Sequence, residues 1–448
     1  MRRKKKFTSA LSFVLSLLMA VSCIQPVMAA QTVPDVESVS GEAATQAEGN
    51  EDTNVSVSAA PAKEETSEAP AEESDSDSGS TADTTETKEL ESESSDAAEL
   101  AALSSDSEIS PLADADAYAI LYENGELVFQ RGSTPDAGKG KVVKTYTGFE
   151  TKAYTGYDDY APWHENKASI KTVSFKDVVK PVSTAYWFYD CDKLTDADFT
   201  NLNTSAVTNM THMFFSCSSL TRLDVSSFNT SAVTNMAYMF AYCSKLTRLD
   251  VSSFNTSAVT NMAYMFSSCR SLTSLDVSSF NTSAVTNMDY MFYSCSSLTS
   301  LNLSSFDTKA VTRMSTMFYD CVSLTSLDVS SFNTSAVTSM YCMFNNCRSL
   351  TSLDVSSFDT SAVMSMDDMF YDCSAIETLT LGTKFAFKGD TKLVDAIWHG
   401  INTDKKYTTS VLTSTYDGAT MADTYIKCFD IKFDAMGGKS SESKKLDI

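Results

Sequence analysis

Eight cysteines, at positions 191, 217, 243, 269, 295, 321, 347 and 373, lie 26 residues apart without a slip. Thiols repeated in this way could pair as disulfides, hold a metal, or pack as small apolar side chains. If each cysteine sits in a stacked unit, neighbours stand roughly 4.8 Å apart, within reach of a bridge. Their place at the end of an apolar run favours the third use, a ladder of buried thiols. Metal binding has little behind it. There is no C-x-x-C pair, only Cys342 and Cys347, and the three histidines, His164, His212 and His399, are scattered. The sequence therefore implies no metal and no cofactor.

Two further columns carry chemistry. An acidic one runs Asp198, Asp224, Asp250, Asp276, Asn302, Asp328 and Asp354, each between two apolar residues. Clustered carboxylates could act as acid and base in glycoside cleavage. That reaction needs two carboxyls in different environments, and this column is nearly uniform, so a structural or weak cation-binding use is expected. No catalytic residue is assigned. An aromatic column runs Tyr186, His212, Tyr238, Tyr264 and Tyr290, then turns polar at Thr316, Cys342 and Asp368. Tyrosine is favoured at interfaces, so Tyr186, Tyr238, Tyr264 and Tyr290 are the candidate partner-binding residues, expected half exposed at the rim of the core. The Asn/Asp column at 203, 229, 255, 281, 307, 333 and 359 reads as a ladder of turns.

The elements that position these columns follow from the unit itself. Leu223-Asp224-Val225 alternates as a half-buried strand does. The Asn229-Thr-Ser stretch is turn chemistry, and Val233-Thr234 favours extended chain. Met236, Met239, Phe240 and Cys243 then fall at helical spacing behind a capping asparagine. A period held this long means one unit stacked on copies of itself. The expected fold class is an α/β solenoid, a leucine-rich-repeat-like stack of eight 26-residue strand–turn–short-helix units with caps at both ends.

The string L-T-S-L-D-V-S-S-F-N-T-S-A-V-T-N-M-x-x-M-F-x-x-C-S-S-L resembles the BspA-like leucine-rich-repeat surface proteins of bacteria, also seen in Mycoplasma-type lipoproteins. The resemblance covers residues 185–381. It implies a secreted or cell-surface protein, with adhesion to host matrix or other cells as a use, and it brings no catalytic motif.

The flanks agree with that placement. Residues 1–30 have a basic start, an apolar run from Phe7 to Ile24 and a small-residue end, the pattern of a secretory signal peptide. Ala20-Val-Ser-Cys23 is a loose lipobox, which leaves the mode of attachment open. Residues 31–110 hold 22 acidic residues and two lysines among Ser, Thr, Ala and Pro, and read as a disordered acidic linker. Most of the chain's net charge of −24 resides there and argues against a nucleic-acid partner. Residues 111–184 read as an N-terminal β cap with a hairpin at Asn124-Gly125, and 382–427 as a C-terminal cap. Residues 428–448 resemble the opening strand of a Listeria–Bacteroides-type repeat.

The function expected is presentation of a rigid repeat face to an extracellular protein or glycan by a monomer without a membrane span after signal cleavage. A bare surface spacer is the alternative, and an enzyme using the Asp column a distant third.

Overall fold

A computed structural model of the chain describes residues 116–156 and 159–428. The signal peptide, the acidic linker and all but the first residue of the 428–448 module lie outside these described residues.

The described residues contain three separate sheets. The first has five strands in the order β3-β1-β2-β4-β5. These are β1 (Ala117–Tyr122), β2 (Glu126–Arg131), β3 (Val142–Tyr146), β4 (Thr172–Phe175) and β5 (Asp196–Asp198). β1 pairs antiparallel with β2 and β3, whereas β2–β4 and β4–β5 are parallel. The β1–β2 turn needs its glycine. Gly125 has φ +91°, and a Cβ there would stand 2.6 Å from the Ser169 carbonyl. The second sheet is one parallel pair, β6 (Arg222–Leu223) and β7 (Arg248–Leu249).

The third sheet has the order β11-β10-β12-β9-β8. Its members are β8 (Ser352–Val355), β9 (Thr378–Leu381), β10 (Ile397–Gly400), β11 (Lys405–Thr408) and β12 (Asp423–Cys428). β8 and β9 are parallel, and the rest pair antiparallel. Two short helices, α1 (Thr409–Thr415) and α2 (Gly418–Met421), lie between β11 and β12.

The expected solenoid of strand–turn–helix units is therefore corrected. Strands fall into three sheets of mixed topology, and no curled or closed repeat unit is formed among the described residues. Nor is there a helix in the Met-Phe-Cys runs. An α-helix requires each N–H to reach the carbonyl four residues back. Here the N–H groups alternate. Met239 donates to Met236 at 3.2 Å and Cys243 to Phe240 at 3.2 Å, closing tight turns. Tyr238, Phe240 and Tyr242 between them donate to Ala263, Met265 and Ser267 of the next unit at 2.7–3.0 Å. Tyr238 and Tyr242 are left-handed, with φ 60° and 62°, which ends any helix. Consecutive turns bury side chains three and four residues apart, as a helix would.

The backbone thus bonds from unit to unit in parallel register, with isolated bridges from Asn209↔Asn235 through Ser339↔Ser365. The Leu, Met, Phe and Cys columns meet in one apolar cluster, where Met236, Met239, Phe240 and Cys243 are 0% exposed.

Candidate functional site

The cysteine column is inert by construction. All eight members are buried free thiols. From Cys217 to Cys373 each Sγ donates to a phenylalanine carbonyl 29 residues earlier, as in Cys243 to Phe214 at 3.1 Å and Cys347 to Phe318 at 3.2 Å. Burial in an apolar cluster pushes the thiols up, to about 12 at Cys243, Cys295 and Cys373. Nucleophilic and metal-ligating thiolates are disfavoured there. Among the described residues no group of three His, Cys, Asp or Glu is placed to hold a metal.

The acidic column is exposed and regular. Asp224, Asp250, Asp276, Asp328 and Asp354 each accept the backbone N–H of the serine two residues on, at 2.8–3.0 Å. Hydrogen bonds from that serine hold the carboxyls of Asp224, Asp250, Asp276 and Asp328 below the usual range. Asn229 does the same for the next turn, accepting from Ser231 N. The buried Thr230 hydroxyl ties that turn to the next unit, donating to Asn255 O and accepting from Asn255 N.

The aromatic column is brought together more closely than expected. Rings stack along it at 4.7 Å for Tyr186–His212, 4.3 Å for His212–Tyr238, and 4.2 Å for Tyr238–Tyr264 and Tyr264–Tyr290. All five residues are left-handed, with φ from 56° to 60°. Tyr186 is buried at 5% exposure, so the rim position expected for it is corrected; Tyr238, Tyr264 and Tyr290 are half-buried.

Two features were missed in the sequence. The first is a groove. The position before the second leucine of each unit runs Asp196, Arg222, Arg248, then Ser274, Ser300, Ser326, Ser352 and Thr378. Arg222 reaches back to Asp196 at 3.9 Å across the sheet face. Further along this column an open groove of about 360 Å³ is lined by Leu301, Leu327 and Leu353 together with Ser300, Ser326, Ser352, Asp328, Asp354, Thr378 and Thr380.

The second is a buried ion pair. Asp289, 2% exposed, binds Arg313 Nε at 2.6 Å. The two preceding units have alanine at the first position, Ala237 and Ala263, and the four preceding units asparagine at the second, from Asn209 to Asn287. The signal was available, since both are departures from the repeat.

Comparisons with known proteins extend this little. A family described as a Mycoplasma protein of unknown function, DUF285, matches residues 182–299 and 272–383, together less than half of the chain. No curated protein matches. A solved leucine-rich repeat protein from Eubacterium ventriosum aligns at 14% identity over 65% of this chain and 97% of its own, with a TM-score of 0.19. That score carries no argument about the fold.

The resemblance to BspA-like leucine-rich-repeat proteins is corrected accordingly. The matches are distant and partial, and the sheets do not form a curved repeat. The leucine-rich-repeat, solenoid and adhesin descriptions fall with it, as does presentation of a rigid repeat face, because the architecture offers separate sheet clusters instead. No helix among the described residues is long and apolar enough to cross a membrane.

Proposed function

We propose that the protein is an exported, non-catalytic protein that takes an extracellular protein or glycan at the local groove beside β8 and β9. The observation that carries the reading is the groove itself, which lies over the serines of one column from Ser300 on and not over its arginines, Arg222 and Arg248. Hydroxyls and two carboxylates there can bond a polar partner, while the leucines give it apolar contact. Export rests on the basic and apolar pattern of residues 1–30. The absence of a catalytic role rests on the uniform aspartates, which share one environment and so lack the contrast that acid–base pairs need.

The test is binding of the full chain to a panel of extracellular glycans and matrix proteins, with Ser326→Arg/Ser352→Arg as the critical variant. The two arginines extend the column across the groove. Loss of binding is expected, while Arg222→Ser/Arg248→Ser retains it. Equal binding by the groove-filled variant, or no binding by the parent chain, refutes the reading.

A further inference from the structure

Two columns of aspartate and asparagine cap successive turns, and in both the turn uses only an oxygen. In the first, Asp276 Oδ1 accepts Ser278 N and Asp328 Oδ1 accepts Ser330 N, both at 2.9 Å. Between them Asn302 Oδ1 accepts Ser304 N at 3.1 Å. In the second, Asp307 Oδ1 accepts Lys309 N and Asp359 Oδ1 accepts Ser361 N, both at 3.1 Å. Between them Asn333 Oδ1 accepts Ser335 N at 3.1 Å. Aspartate therefore does all that either turn asks. The amide nitrogens of Asn302 and Asn333 are surplus to it, and neither Nδ2 is hydrogen-bonded among the described residues.

Both asparagines are exposed, and each has an exposed serine two residues on. Asn302-Leu-Ser304 and Asn333-Thr-Ser335 are thus surface copies of the Asn-x-Ser/Thr acceptor pattern for N-linked glycosylation. The serine hydroxyl donates to the same Oδ1, at 2.8 Å from Ser304 and 2.7 Å from Ser335. Hydroxyl and acceptor amide stand together at the surface, while Leu303 and Thr334 between them are buried.

Asn229, Asn255 and Asn281 carry the same pattern, but in successive units. The Thr230 and Thr256 hydroxyls tie those turns directly, at 2.9 Å to Asn255 O and Asn281 O. Turns stacked at roughly 4.8 Å leave no room for a bulky glycan on each. Asn302 and Asn333 instead have aspartate on both sides in their own columns.

We propose that Asn302 and Asn333 are acceptor sites for an N-linked glycan. Export, proposed above, brings them to a donor available outside the cytoplasm, a sugar carried on a lipid diphosphate. A bond forms between Nδ2 and C1 of that sugar as the C1–O bond to the diphosphate breaks. The electron pair of the broken bond leaves with the diphosphate, and one Nδ2 proton passes to water. Oδ1 takes no part, so the turn keeps its hydrogen bonds.

The experiment isolates the full chain from the cells that make it and maps its peptides by mass spectrometry with electron-transfer fragmentation, which places any added sugar on a residue. Sugar is expected on Asn302 and Asn333. Asn235 and Asn261, whose second following residue is alanine, should be bare. Asn302→Asp and Asn333→Asp recreate the neighbouring units, so each should lose the sugar at its own position, keep it at the other, and melt as the parent does. Ser335→Ala keeps the Asn333 nitrogen and should still lose the sugar there. Bare Asn302 and Asn333 in the parent chain overturn the assignment, as does sugar on Asn333 in Ser335→Ala or on Asn235 or Asn261. The same map shows, by the presence or loss of residues 1–30, whether export has failed as well. Transfer does not use the groove beside β8 and β9, so the binding panel stands or falls separately.

Discussion

Asp289→Ala is the sharpest test of how the repeat holds together. In most units the residue before the Met-x-x-Met-Phe run is asparagine, and its side chain caps the following turn: Asn235 Oδ1 accepts Ala237 N at 3.0 Å, and Asn261 Oδ1 accepts Ala263 N at 3.0 Å. Arg313 cannot do this. The cap on Ser315 N comes instead from the preceding unit, from Asp289 Oδ1 at 2.8 Å, while Asp289 Oδ2 holds Arg313. One buried carboxylate thus replaces a lost asparagine and neutralises its substitute.

Removing it strands a half-buried N–H and a guanidinium. The charge-assisted bond to the backbone is worth about 1.5–3 kcal/mol. The arginine, about a third exposed, can turn to water, so the ion pair adds little beyond that. A loss of about 2–3 kcal/mol is expected for Asp289→Ala. Arg313→Ala should cost more, about 3–5 kcal/mol, because it leaves a carboxylate buried without its cation. Burial already holds that carboxyl above its usual range.

The decisive variant is Asp289→Ala/Arg313→Asn, which recreates the alanine and asparagine of the earlier units. Its stability should return to within about 1 kcal/mol of the parent, the scale of a side-chain cap. Urea denaturation of the three variants gives the energies, and hydrogen exchange at the Ser315 amide reports the cap directly. A double variant no more stable than Asp289→Ala refutes the reasoning.

His212 should make the chain acid-sensitive. Burial lowers its pKa to about 3 from an ordinary 6.5, so the unfolded chain takes up the proton first. Its contribution is therefore complete above pH 6.5 and is lost as pH falls toward 3, by up to about 1.4 kcal/mol per pH unit. His212→Tyr, the column residue, should flatten that slope in urea denaturation between pH 4 and 7; an equal slope in both proteins counts against it. The thiols give a separate test. A thiol reagent should label Cys428 in the native chain but none of the nine buried cysteines from Cys191 to Cys373, all of which should react after denaturation without reductant. Bridged cysteines in the denatured, unreduced chain would contradict the bonding described.

Periodicity carries some kinds of information and loses others. A fixed 26-residue period makes equivalent residues share an environment, so the burial of Leu220, Met236, Phe240 and Cys243 could be read from the sequence, as could the turn at Asn229. The local conformation of the Met-x-x-Met-Phe-x-x-Cys run could not. Its apolar spacing satisfies both a helix and a chain of tight turns, and the choice lies in where alternate N–H groups point. Left-handed positions usually announce themselves by glycine or asparagine. Here they hold Tyr238, Tyr242 and Ser268, which give no such sign.

The breaks between sheets are less legible still. Leu-Asp-Val at 275–277 repeats the residues of Leu249-Asp-Val251, yet only the earlier unit contributes to a strand, through Leu249. The bonds that join successive strips change from 3.0 Å for Thr247 N to Thr221 O, to 3.3 Å for Thr325 to Thr299 and 3.5 Å for Thr351 to Thr325. Identical strips cannot encode that difference. It has to come from residues outside them, and the fall from arginine to serine in the neighbouring column is the change that coincides with it. Over Ser300 and Ser326 the groove and the looser pairing coincide, whereas Ser352 pairs with Thr378 between β8 and β9. Ser326→Arg/Ser352→Arg should report on both: if the column sets the pairing, amide exchange at Thr325 and Thr351 slows as the groove fills. Unchanged exchange in a variant with a filled groove would separate the two effects and leave the sheet breaks to the packing beneath.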